Sequence, residues 1–263
     1  LFRSTHDQVG DRANDSLRVN GNEVRARVTA EGGNLGWTQL GRIEYALTGG
    51  RLNTDFIDNS GGVDSSDREV NIKILLDSQL SAGNLTTDSR NALLHSMTDE
   101  VVDLVLASNV SQNQALAKEM LVAGERTARY EALMVELEDA GYLNRSVEFL
   151  PSSVQMSDRF ATGQTMTCPE LAVLLSYVKI QLEDEILRSS LPDDPGFAQL
   201  LVEYFPTPLR ERFATQMAAH RLAREIITTQ VVNRFVDSHG ILAVHELARN
   251  SGKSFAEVIL ENW

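Results

Sequence analysis

Cysteine is almost missing from this chain: Cys168 is the single one in 263 residues. An internal disulfide framework is therefore excluded, and the usage suits a reducing compartment, so a cytoplasmic location is expected. Histidine is scarce too. The five present (His6, His95, His220, His239 and His245) have no metal-ligand spacing, and no metal site is expected. Long apolar runs are absent, and with them any membrane-spanning helix; no secretory leader pattern opens the chain. Positive charge is in short supply. The formal net charge is −13, about −2 over residues 1–76 and −11 over the remainder. A body so acidic repels a phosphate backbone, which argues against nucleic acid as a partner. Finally, no Gly-x-Gly-x-x-Gly turn follows a strand. Gly32-Gly33-x-x-Gly36 has the wrong spacing, so a pyrophosphate cradle is missing.

What remains is ample core-forming material, 42% hydrophobic residues with 23% charged, which fits a globular chain. The chain opens on Leu in mid-pattern, and we expect a piece of a longer polypeptide. Its organisation changes near residue 80, giving two expected domains, 1–80 and 81–263. Val24–Ala30 alternates small or apolar residues with Arg and Thr, as a strand does. A Glu31–Asn34 turn follows, then helical spacing from Thr38 to Leu47, closed by Gly49-Gly50. Arg51–Asp55 is a weaker strand candidate, Asn59–Val63 a second turn, and a helix is expected from Ser66 or Asp67. Beyond Gly83 the pattern is helical almost throughout. Thr167-Cys168-Pro169-Glu170 is a clear helix start, and Leu191–Gly196 the strongest loop. The fold expected is mostly α with a partial α/β layer. The last strand–helix units of a Rossmann-like sheet would precede a multi-helix domain.

The two small-residue turns carry the chemistry. Gly leaves the backbone bare, and an Asn beside it offers both a donor and an acceptor. Glu31-Gly32-Gly33-Asn34 resembles the Glu-Gly-Ala-Asn signature of glutamate dehydrogenases. Asp55–Val63 resembles their later Asp-x-x-x-Asn-Ala-Gly-Gly-Val segment. The longer runs Glu31–Ala46 and Asn59–Lys73 are similar to one branch, the large bacterial NAD-specific enzymes. Pro169–Tyr177, Leu191–Pro195 and Tyr204–Arg212 resemble the helical C-terminal region of that branch, so the likeness spans nearly the whole chain.

The resemblance implies NAD as cofactor, and L-glutamate and 2-oxoglutarate as substrate and product. Gly33, Asn34, Asn59 and Gly61 would face the cofactor. Gly62, Val63 and Ser66 would face the substrate, with the Ser66 hydroxyl on its distal carboxylate. It implies as partners the upstream domains of the same polypeptide and other copies in a homo-oligomer. Asp58, Ser60 and Asp64 depart from the small enzymes of the family. The family's catalytic lysine and acid/base aspartate have no counterpart here, so no catalytic residue is assigned and the chain alone is expected to be inactive. Two other readings stand beside this one: an acidic helical interaction module, and a dehydrogenase for another amino acid. Cys168 reads as an inert first-turn residue. Arg221, Arg224 and Arg234 read as solvated charges.

Overall fold

The computed structural model describes residues 6–10, 12–33 and 36–263. Helix accounts for 73% of the described residues and strand for 1%. Along the chain come α1 (His6–Val9), α2 (Gln39–Leu47), α3 (Asp55–Asp58), α4 (Ser60–Ser81), α5 (Thr87–Ser96), α6 (Thr98–Val122) and α7 (Thr127–Asp139). There follow α8 (Ser153–Ala161), α9 (Cys168–Arg188), α10 (Ala198–Tyr204), α11 (Thr207–Met217), α12 (Ala223–His239), α13 (Ala243–Ser251) and α14 (Phe255–Glu261). No helix among the described residues is long and apolar enough to cross a membrane.

The multi-helix expectation holds, and the local reasons are visible. Thr38 caps α2 by accepting from the Gly41 amide at 3.1 Å. At the start of α9 the Glu170 carboxylate reaches back and accepts from both the Thr167 amide at 2.7 Å and the Thr167 hydroxyl at 2.8 Å, so the hydroxyl donates here where the sequence predicts an acceptor. Gly141 ends the α7 region at φ 79°, a left-handed backbone that other residues adopt only at a cost. α8 has no counterpart among the expected elements. It begins on a reciprocal cap in which the Ser152 amide donates to Gln155 at 2.8 Å.

Among the described residues no Rossmann-like sheet is found. Among the described residues the two expected strands meet at one parallel bridge, Val28 with Arg51. The Thr29 amide donates to the Arg51 carbonyl at 3.0 Å, and the Arg51 amide to the Arg27 carbonyl at 3.1 Å. Parallel pairing is stable where both faces are covered and further strands flank it. Here Val28 is 65% exposed, and among the described residues neither segment gains another strand. The second correction concerns Asn59–Val63. Asn59 caps α3, and Ser60–Val63 form the first turn of α4, which starts six residues before Ser66.

The chain divides into two compact units. The first is Leu1–Asn59 with Leu116–Tyr177, the second Ser60–Ala115 with Val178–Trp263. In the first, α7 packs with α8, and Tyr130, Leu133, Met134 and Leu137 are buried. In the second, α12 packs on α10 and buries Val231, Val232, Phe235 and Val236.

Candidate functional site

In the first unit, a polar knot holds the Gly32-Gly33 loop. The Glu31 side chain is buried and accepts from three donors: the Trp37 amide at 3.0 Å, Arg42 Nε at 2.6 Å and Arg42 Nη2 at 3.0 Å. Arg42 lies on α2, equally buried, and also pairs with Asp55 at 3.1 Å. The Glu31 amide in turn donates to Asp58 at 2.9 Å, and Asn53 donates to the other oxygen of Asp58 at 2.8 Å. The residues on both sides of Gly32-Gly33 are thus tied to the segment that ends at Asn59. Charge-assisted bonds in a dry setting are short and directional, so they fix the loop's geometry.

The loop itself is bare. Gly32 and Gly33 are exposed, and a Cβ on either would meet no atom within 4 Å. Asn59 is half-buried at the C-terminus of α3. Asn34 lies outside the described residues. Beside the knot, Cys168 Sγ donates to Asn53 at 3.2 Å. Burial first, and then the nearby Asp58 charge, push its thiol up to about 11, so it is an inert thiol at neutral pH.

In the second unit, Gly61, Gly62, Val63 and Ser66 sit on the first two turns of α4. Gly61 admits α6: a Cβ there would lie 3.2 Å from Val105 Cγ1. Asn109 of α6 donates to the Ser60 hydroxyl at 2.8 Å. Gly62, Val63 and Ser66 are exposed. The Ser66 hydroxyl donates to the Gly62 carbonyl one turn back at 3.3 Å, a long bond at the surface that a ligand acceptor can replace.

The opposite side of α4 is clamped. Arg68 is buried, donates to Asp64 at 3.1 Å and to the Tyr204 carbonyl at 2.7 Å, and lies 4.8 Å over the Tyr204 ring. Asn71 donates to the Tyr204 hydroxyl at 3.0 Å, and its own carbonyl lies 3.0 Å from His220 Nε2. The Leu222 amide donates to His220 Nδ1 at 3.1 Å, so Nδ1 is the acceptor and Nε2 carries the proton. That neutral tautomer agrees with a pKa lowered mainly by burial. Burial likewise raises Asp64, against the pull of Arg68.

Sequence reasoning passed over Arg42 and Arg68 as functional residues. One signal was available. Arg68 precedes Ile72 by four residues, which places a cation on the helix face that is apolar further along. Arg42 similarly stands among Ile43, Tyr45 and other buried positions of α2. Among the described residues no group of three or more His, Cys, Asp or Glu could hold a metal.

A family model described as bacterial NAD-glutamate dehydrogenase, catalytic domain, matches residues 2–119, and one described as glutamate dehydrogenase, C-terminal, matches residues 163–262. The chain is 51% identical over 256 residues to an NAD-specific glutamate dehydrogenase of Pseudomonas aeruginosa, covering 97% of this chain. Proteins of the same description from Halomonas elongata and Mycobacterium tuberculosis are 48% and 49% identical, over 97% and 93% of the chain. The chain spans 16%, 16% and 15% of the lengths of these three relatives.

Proposed function

Since the chain belongs to the bacterial NAD-specific glutamate dehydrogenases, we propose that it supplies part of the active site for oxidative deamination of L-glutamate to 2-oxoglutarate and ammonia. The observation that carries the reading is 51% identity over nearly the whole chain to an NAD-specific glutamate dehydrogenase. The geometry supports where the ligands lie. Open space over Gly32 and Gly33 fits a flat nicotinamide and its ribose lying against bare backbone. When bound, NAD supplies the two-electron acceptor that takes hydride from the α-carbon of the amino acid.

This chain's residues bind and orient. Gly33, Asn34, Asn59 and Gly61 line the cofactor side, with Asn34 and Asn59 offering amide donors and acceptors. Gly62, Val63 and Ser66 line the substrate side, and the Ser66 hydroxyl turns from the Gly62 carbonyl to the substrate's distal carboxylate. Residues 1–80 thus carry the ligand-facing turns, and residues 81–263 support them. The lysine and the aspartate that move protons belong to other parts of the polypeptide, as does the pyrophosphate cradle.

Kinetics of Ser66→Ala in the full-length enzyme test this reading. A hydrogen bond to a charged group contributes about 1.5–3 kcal/mol, so KM for glutamate and for 2-oxoglutarate should rise about ten- to a hundredfold. KM for NAD should stay put. A Ser66→Ala enzyme with wild-type use of glutamate would remove the substrate-side assignment.

A further inference from the structure

α4 has two sides with different work. Gly62 and Ser66, four residues apart, share the exposed side. Asp64, Arg68 and Asn71 follow the opposite one, since two residues turn a helix by about 200°. The first buried apolar side chain of α4 is Ile72; ahead of it the buried residues are Arg68 and Asn71. Apolar side chains of α4 therefore grip its later turns, whereas the turns that carry Gly62 and Ser66 bury none of their own and are held by polar contacts, with α6 abutting the backbone at Gly61. Apolar contacts fix distance and are tolerant of rotation. A guanidinium is less forgiving, because its donors lie in one plane. Arg68 commits that plane three ways: to Asp64, to the Tyr204 carbonyl and to the face of the Tyr204 ring. Tyr204 is itself gripped by Asn71 through its hydroxyl. Behind it, Arg210 donates to the Phe205 carbonyl and, at 2.8 Å, to the Glu203 carbonyl, so the backbone that receives Arg68 is fixed.

We propose that Arg68 is a positioning residue: by locking the roll of α4 against Tyr204 it sets the direction in which Ser66 meets the substrate carboxylate. This rests on the substrate-side reading of Ser66 above. Arg68 faces away from the ligand side and touches no reacting atom. Its effect passes through Ser66 alone.

The test is a double-mutant cycle in the full-length enzyme with Arg68→Met, Ser66→Ala and the two combined. Arg68→Met should raise KM for glutamate and 2-oxoglutarate about five- to tenfold, with kcat within about threefold and KM for NAD unchanged. The double variant should be no worse than Ser66→Ala, since a misaimed hydroxyl and a missing one lose the same contact. A purely structural role would lower the active fraction, and hence apparent kcat, and leave KM alone. Should Arg68→Met fail to fold, Arg68→Lys takes its place in the cycle; it keeps a charge opposite Asp64 but cannot serve the carbonyl and the ring together. A KM shift in Ser66→Ala with none in the Arg68 variant overturns the positioning role and leaves the substrate reading standing. Additive effects also overturn it. No shift in Ser66→Ala removes the reading, and this proposal with it.

Discussion

Gly32-Gly33 and Gly61-Gly62 look alike as sequence and are unlike as structure. The first pair is an exposed loop, open on the side where a Cβ would stand, and held from beneath by Glu31, Arg42, Asp55 and Asp58. The second pair is helix from the start, and Gly61 is small because α6 comes close at Val105. The Gly32-Gly33 pair is open on its Cβ side, whereas at the second pair Gly61 makes room for α6 and Gly62 stays exposed. A glycine pair is therefore a signal of close approach, and the neighbouring side chains decide what approaches.

The largest break in this comparison should come from Arg42→Met. It leaves Glu31 and Asp55 facing each other with no cation between them, in a place where the side chains are 5% and 17% exposed. Removing one partner from a buried pair costs about 3–5 kcal/mol. Urea denaturation should show a loss of that size, and the Gly32-Gly33 loop should gain amide hydrogen exchange before α4 does. Equal exchange gains in α4 would show that the loop is not held by its own knot.

Much of the helical fold was legible because its signals are local. Thr38, Thr167 with Glu170, and Gly141 each act within four residues, where sequence spacing is also spatial spacing. The sheet was misread for the opposite reason. Alternation over Val24–Ala30 describes a chain that can pair, and pairing needs flanking strands that the described residues do not provide. The candidate site divides the same way. Glycines and amides stand out in the sequence, but the residues that aim them are distant in it: Arg42 is 11 residues from Glu31, and Arg68 is 136 from Tyr204. Nothing in local spacing announces such pairs.

A smaller effect sharpens the contrast between the glycines. Gly61→Ala gains about 0.5–1 kcal/mol of helix propensity, and against that it presses a methyl onto Val105, itself 7% exposed and unable to retreat far. Overpacking costs about 1–3 kcal/mol, so a net loss of about 1 kcal/mol is expected in thermal or urea melts. Gly33→Ala meets nothing and needs no left-handed backbone, so its stability should match wild type to about 0.5 kcal/mol. In the full-length enzyme it should instead weaken NAD, seen by fluorescence titration. If Gly33→Ala destabilises as much as Gly61→Ala, the loop is packed and not bare.

The smallest effect separates the two clamps by pH. The clamp on α4 ends at an imidazole, His220; the knot under Gly32-Gly33 is built from carboxylates, a guanidinium and an amide. Burial lowers the His220 pKa below its ordinary 6.5, with Glu225 and the Asn71 carbonyl pulling the other way. As pH falls through 6.5 the unfolded chain takes this proton first, so His220 subtracts stability until the folded imidazole protonates as well. Protonation would also strike at geometry, because Nδ1 could no longer accept from the Leu222 amide. Asp64 has the opposite sign. Its pKa is raised above 3.8, so the folded state takes that proton first, and acidification toward that range relieves a cost present at neutral pH. The two windows differ, which lets one variant separate them. His220→Gln keeps a donor for the Asn71 carbonyl and cannot titrate. Urea midpoints at pH 7.5, 6.5 and 5.5 should fall less steeply for His220→Gln than for wild type, with the two curves differing by a constant at the alkaline end. Parallel curves over the whole range would mean that the imidazole keeps its ordinary pKa in the folded chain, and that burial of His220 in the clamp on α4 places no cost on its protonation.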